Sequence, residues 1–297
     1  MYVTILNNMS KKYDSLISTM LSSYQTLGLI NAGEHAVFPS FDDIKKILIS
    51  FKEVLFPGFL GLTNKDMPDL GLLTKQRIIY LDQALSNAIL ACLNWDNQMD
   101  NTIKKAQEIT TELLLNLSSL RAVLIQDAEA ILKGDPAAKS LVEIVLSYPG
   151  FQGIMVYRIA NILYRQKVPL IPRMMAEIVH SDTGIDIHPG ATIGNSFCID
   201  HGTGIVIGET AEIGDNVKLY QGVTLGAFSV TKSTNKTKRH PTLKNNVTVY
   251  ARSTILGGDT IIGENCIIGG NVWLVDSMSD NSTIYVSMAD KQIIKPR

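Results

Sequence analysis

The sequence predicts an α+β protein, an all-α N-terminal domain followed by a parallel β-helix built of six-residue repeats. Three observations point there. Apolar residues keep a helical period from about Ser10 to Val168, they recur every six residues beyond about Ser181, and Gly- and Pro-containing turns punctuate the first region. A length of 297 residues suits about two domains of roughly 150 residues each. The expected bounds are 1–180 for a helical domain, 181–280 for the β-helix, and 281–297 for a C-terminal tail.

The clearest helical segment places Ile44, Ile47, Leu48, Phe51 and Leu55 on one face, behind a capping Ser40 with Asp42 and Asp43 in the first turn. Phe56-Pro57-Gly58 stops it. Further helical runs are expected over about Thr74–Asn94, Thr102–Lys133, Lys139–Leu146 and Phe151–Arg165. The turns Gly134-Asp135-Pro136 and Tyr148-Pro149-Gly150 separate the last of them.

In the second region Ile187, Ile193, Ile199 and Ile205 stand six apart, then Ile207, Ile213, Leu219 and Leu225, then Leu243 and Val249, then Leu256, Ile262, Ile268 and Leu274. One buried aliphatic per hexad, with small or polar residues between, lets each aliphatic stack on its counterpart in the next coil of a parallel β-helix. No common helix or hairpin has this period. The residues from Ala227 to Lys238 interrupt the hexads; the segment carries Lys232, Lys236 and Lys238 and no acid. It is either a solvated loop or a basic flap over the site that attracts phosphates.

Composition excludes several function classes. Lys plus Arg number 27 against 28 Asp plus Glu, a net charge of −1, so the whole chain has no electrostatic footprint for nucleic acid. Charged residues interrupt every apolar stretch before about 18 residues, so no membrane span is expected. The start, Met1 to Lys12, lacks the pattern of a secretory signal. Cys92, Cys198 and Cys266 are unpaired by spacing; together these features predict a cytoplasmic protein without a structural metal.

Four of the five histidines, His180, His188, His201 and His240, fall between residues 180 and 240. Histidine suits proton transfer near neutral pH and needs a carboxylate to orient it. Asp186 and Asp200 are the candidates. Asp200 is next to His201 in sequence, and adjacent strand residues point to opposite faces. Asp186 lies near one three-sided coil of about 18 residues earlier, so spacing favours an Asp186–His201 pair, although sequence does not settle which carboxylate touches the ring.

Ile193-Gly194, Ile213-Gly214 and Ile262-Gly263-Glu264-Asn265 resemble the hexapeptide-repeat acyltransferases, whose left-handed parallel β-helices form trimers. Within that superfamily, Asp186-Ile187-His188-Pro189, the stretch from Asp200 to Thr210, Val223-Thr224-Leu225-Gly226 and Arg239-His240-Pro241 resemble the serine O-acetyltransferases in their order. So do Gly134-Asp135-Pro136-Ala137, Tyr148-Pro149-Gly150-Phe151 and Tyr157-Arg158. The resemblance runs from about Gln126 to Leu274, and residues 1 to about 120 match only in being helical.

The resemblance implies transfer of the acetyl group of acetyl-CoA to L-serine, with O-acetyl-L-serine made for cysteine biosynthesis. It implies His201 as general base, Asp186 as its orienting partner, and Asp135, Asp200, Arg239 and His240 as the residues that hold the amino acid. A carboxylate for the ammonium and a planar Arg fork for the carboxylate suit a zwitterion. Gly226, Ala227 and Ala251 match positions that line the CoA groove, with Ala227 and Phe228 departing from the family's usual Gly and Thr. L-Cysteine is implied as a feedback inhibitor in the serine site, and a trimer or hexamer as the assembly. Members that bind O-acetylserine sulfhydrylase end in Ile; this chain ends in Arg297, so that complex is not expected. His188 has no catalytic task in the family, and Glu209 receives no role.

Three other readings fit parts of the pattern. A hexapeptide acetyltransferase for a sugar or another hydroxyl acceptor keeps the fold, which does not dictate substrate. A γ-class carbonic anhydrase would use three histidines on zinc, but no two histidines here are five apart as its ligand pair requires. A non-catalytic trimeric scaffold would tolerate the altered loop.

Overall fold

The computed structural model describes residues 2–27, 38–58, 69–96, 101–228 and 238–286. The chain divides into two units, Met1–Phe38 and Pro39–Arg297. The first unit contains helix α1 (Tyr2–Thr26), on which Tyr13, Leu16, Ile17 and Met20 are exposed. The second unit opens at Ser40, whose hydroxyl accepts the Asp43 N–H at 3.1 Å while its own N–H donates to Asp43 Oδ2 at 3.0 Å. This reciprocal cap starts α2 (Phe41–Leu55), which buries Ile44, Ile47, Leu48, Phe51 and Leu55, the face that the sequence singles out.

Helix α3 (Leu70–Asp96) follows, then α4 (Thr102–Leu115) and α5 (Leu117–Gly134). The expected single run over Thr102–Lys133 is broken at Asn116, whose Nδ2 donates to the Glu112 carbonyl at 2.8 Å. Its side chain competes with the helical backbone for that carbonyl. Ser140 caps α6 (Leu141–Ser147), and Pro149 opens α7 (Pro149–Arg165), where its missing N–H costs nothing. Helix α8 (Ile171–Thr183) lies beyond the helical region read from the sequence; it ends at Gly184, φ +72°. Among the described residues no helix is long and apolar enough to cross a membrane.

A parallel β-solenoid of three sheets then begins. The first sheet orders β1 (Asp186–Ile187), β4 (Val206–Ile207), β7 (Thr224–Gly226), β10 (Thr254–Leu256) and β13 (Trp273–Leu274). The second contains β2 (Thr192–Ile193), β5 (Glu212–Ile213), β8 (Thr242–Leu243) and β11 (Ile261–Ile262). The third contains β3 (Cys198–Asp200), β6 (Lys218–Tyr220), β9 (Thr248–Val249), β12 (Ile267–Ile268) and β14 (Thr283–Ile284).

Register stacks the hexad aliphatics into columns: Ile187, Ile207, Leu225, Ile255 and Leu274 in the first sheet, Ile193, Ile213, Leu243 and Ile262 in the second. The third column is Ile199, Leu219, Val249, Ile268 and Ile284. Two expected members differ. Ile205 sits between β3 and β4, buried at a corner, and Ile255 takes the column position expected for Leu256. Both shifts coincide with breaks in the six-residue phase.

Corners join the sheets. The corner from third to first sheet holds 201–205, 221–223 and 250–253, and the corner from first to second holds 188–191, 208–211, 227–228 and 238–241. Residues 229–237 of the interrupting segment, including Lys232 and Lys236, lie outside the described residues, as do residues 287–297 of the tail. Helices α5 and α7 lie against β3. Gly150 allows this approach, because a Cβ there would run into the Ile199 carbonyl. Buried Asp127 of α5 accepts from Arg158 Nε at 2.5 Å and Nη2 at 2.8 Å and from the Phe197 N–H at 2.9 Å. Arg158 also donates to the Gly194 carbonyl at 2.8 Å, so one ion pair pins the corner after β2 to two helices.

Candidate active site

The predicted residues gather into two clusters, at different corners of the solenoid. The first lies at the corner from third to first sheet. Asp135 caps the C-terminus of α5, where its Oδ1 accepts the Ala137 N–H at 2.8 Å and its Oδ2 accepts the Tyr148 hydroxyl at 2.7 Å. The Tyr148 donor, then the Ala137 N–H and the fields of Lys218 and His201, hold the Asp135 carboxyl below the usual range. The same contact pushes the Tyr148 phenol up to about 12. Asp200 ends β3, nearly buried, with Oδ2 3.0 Å from Lys218 Nζ.

His201 follows at φ +59°, in the left-handed region. Its Nε2 lies 3.8 Å from Asp200 Oδ1. The alternation expected of adjacent strand residues does not hold here, because the strand has ended and the left-handed turn redirects the side chain. Asp186 opens β1, paired in register with Val206, and its Oδ1 lies 3.7 Å from Arg173 Nη1 of α8. A corner longer than a simple hexad turn carries the chain from His201 to β4. Asp186 therefore starts the sheet that His201's own corner leads into.

The second cluster lies at the corner from first to second sheet. Arg239 pairs with Glu209, which also accepts the Tyr164 hydroxyl at 2.5 Å. Thr210 Oγ1 accepts the Arg239 N–H at 2.9 Å and the His240 N–H at 3.1 Å, and the Thr210 N–H donates to His240 Nδ1 at 3.0 Å. Nδ1 is thus an acceptor, which leaves the ring proton on Nε2. Burial first, then Arg239 and Lys238, pushes His240 down to about 4, so the ring is neutral at ordinary pH. Gly208 makes room for it, since a Cβ there would overlap the imidazole. His188 organises its own turn, its Nδ1 accepting the Gly190 N–H at 3.0 Å, and burial lowers its pKa.

The residues matched to a CoA groove divide the same way. Gly226 ends β7 and Ala227 follows at the second cluster's corner, whereas Ala251 lies at the first cluster's corner, above His201. From His201 to Gly208 the coil runs seven residues through β4, so the two clusters stand at most roughly 20 Å apart at about 3.3 Å per residue. Two cavities of about 370 and 320 Å³ open among the helices, and none of the predicted site residues lines either. Among the described residues no group of three His, Cys, Asp or Glu is placed to hold a metal ion.

Sequence reasoning missed Tyr148, Lys218, Thr210 and Tyr164, and left Glu209 without a role. Tyr148 stood in a recognised turn, and its phenol was the available signal. Lys218 and Thr210 gave none, because their partners come from other coils and from a helix.

A family model described as serine acetyltransferase, N-terminal, matches residues 68–155. The match begins well before Gln126, so residues 68 to about 120 share more with the family than helical character. A plasmid serine acetyltransferase of Synechococcus elongatus is 40% identical over 268 residues, 83% of this chain and 81% of that protein. The serine acetyltransferase of Bacillus subtilis is 48% identical over 123 residues, 41% of this chain and 55% of the relative. Among solved structures, Entamoeba histolytica serine acetyltransferase isoform 3 in complex with cysteine superposes with a TM-score of 0.74 at 34% identity, covering 94% of this chain and 93% of that one. Identity at this level across four-fifths of a relative, with the solenoid and helices in common, means that the chain belongs to the serine acetyltransferase family.

Proposed function

We propose that the protein transfers the acetyl group of acetyl-CoA to the hydroxyl of L-serine, giving O-acetyl-L-serine as the activated precursor of cysteine. The observation that carries this reading is the gathering of Asp135, Asp200 and His201 at one corner, with Arg239 and His240 held ready at another. Asp135 and Asp200 offer negative charge to the ammonium group. Arg239 and the Nε2–H of His240 offer donors to the carboxylate. His201 then takes the proton from the serine hydroxyl as its oxygen attacks the thioester carbonyl. The tetrahedral intermediate expels the CoA thiolate, which recovers the proton from the imidazolium. Asp186 orients the base, and positioned proton transfer of this kind contributes typically about 10²- to 10⁴-fold.

The separation of the clusters supports a site completed between two copies of the chain in a trimer, the His201 corner of one against the Arg239 corner of the next. Cysteine, with the same ammonium and carboxylate as serine, competes for those groups. The relative solved with cysteine bound supports that reading. Gly226, Ala227 and Ala251 are assigned to the CoA groove between the same two corners.

The test is CoA thiol release with acetyl-CoA and L-serine, with and without L-cysteine, beside His201→Ala. Turnover that needs serine, falls with cysteine and is lost in the variant is expected. Folded protein that binds CoA but does not turn over with serine overturns the substrate and points to another hydroxyl acceptor.

A further inference from the structure

Lys218 reaches into the first cluster, and neither the motifs nor the reaction as described uses it. It projects outward from β6, in register with Cys198 on the coil below. Its Nζ lies 3.0 Å from Asp200 Oδ2, donates to the Gly134 carbonyl at 2.6 Å, and sits 4.3 Å from the centroid of the Tyr220 ring. Tyr220 is itself stacked on Tyr250 of the next coil at 4.9 Å, 10° from parallel. The ammonium group is therefore held on three sides, and two of its contacts are to the residues that flank the proposed chemistry. Gly134 immediately precedes Asp135. Asp200 presents its other oxygen, Oδ1, to His201.

We propose that Lys218 is a positioning residue for acetyl transfer: its charge offsets Asp200 beside the base, and its hydrogen bond to Gly134 fixes the turn that carries Asp135. The inference rests on His201 acting as the base. Asp200 is nearly buried while the His201 ring is exposed, so the Asp200 charge acts on the adjacent imidazole across 3.8 Å through a partly screened path. Removing the cation would leave that carboxylate to act on the ring alone, and a nearby opposite charge favours the charged form. A fixed cation on the far oxygen counters it without touching the ring, and leaves Oδ1 toward His201. The charged and titratable groups that face this corner are Asp200, which ends the strand before His201, Lys218 of β6, and Asp135 with its donor Tyr148 from the turns after α5 and α6. Burial alone would lower the Lys218 pKa, but Tyr220 and Asp200 outweigh it and raise it, so the charge persists across the working range.

The experiment is the pH dependence of kcat/KM for serine in the wild type, Lys218→Gln and Lys218→Arg. Gln can still hydrogen-bond to Gly134 but carries no charge; its acid limb is expected to move up by about 0.5–1 pH unit, the size of one screened charge at this range. Arg keeps the charge, and its limb is expected to stay with the wild type. A folded Gln variant with an unmoved limb overturns the proposal, and so does an Arg variant that moves as far as Gln. If the Gln variant does not fold, Asp200→Asn is compared with Asp200→Asn/Lys218→Gln, which leaves no unpaired buried charge. The limb of the single variant should then lie below that of the double, and coincident limbs overturn the inference. His201→Ala separates the two levels. Full turnover in that variant removes the base, whereas an inactive His201→Ala beside an unmoved Gln limb removes only the role of Lys218.

Discussion

Tyr148 donates its hydroxyl to Asp135 at 2.7 Å, and this contact is the first cause of the depressed Asp135 pKa. Removing the donor raises that pKa, so the carboxylate is lost at a higher pH as the solution is acidified. In Tyr148→Phe the rise in KM for serine between about pH 7 and pH 4 should therefore begin earlier than in the wild type; superimposable profiles would contradict an ammonium role for Asp135. The residue is half-buried and partly screened by water, so a modest displacement is expected. At the second corner, Gly208→Ala drives a Cβ into the His240 ring. Displacing one hydrogen-bonding group should lower kcat/KM for serine by about tenfold, while the CD spectrum stays unchanged. His201 and Asp200 were legible as a pair of candidates, but their contact was not. Strand alternation placed them on opposite faces, and only the backbone at φ +59° brings the ring back to 3.8 Å from Asp200.

The helices and coils meet through a small number of buried polar contacts. Burial pushes the Asp127 carboxyl above its ordinary range despite Arg158 at 2.5 Å. Arg158→Met leaves that acid buried with only the Phe197 N–H, and should destabilise the protein by about 3–5 kcal/mol, read as a lower melting temperature. A melting temperature equal to the wild type's would show that the pair does not pin the corner. Most elements were legible as periods. The hexads gave the stacked columns, and the Ser40 cap and apolar face gave α2, because local spacing alone sets which residues share a face. The break at Asn116 was not legible, since its competing hydrogen bond has no period. Nor was α8, whose short apolar face follows a Pro-containing connection.

At the scale of the whole molecule, the two clusters cannot serve one serine within a single chain if a solenoid side of up to roughly 20 Å divides them. Subunits carrying His201→Ala and subunits carrying Arg239→Ala should each be inactive alone. Mixed in equal amounts by unfolding and refolding, they should recover about a quarter of wild-type turnover, because each mixed trimer contains one junction with both residues intact. No recovery despite mixed trimers would place all the groups in one subunit's site.

The sequence by itself determined the order of helices and solenoid, the residues stacked inside each coil and the family to which the chain belongs. These follow from repeat period and from motifs whose members are close in the chain. Tertiary structure alone decided which of those motifs meet. Asp135, Asp200 and His201 come together because α5 and α7 lie against β3, and Glu209, Thr210 and His240 because successive coils stack at one corner. Residues far apart in sequence and close in space share no spacing from which such a meeting could be read.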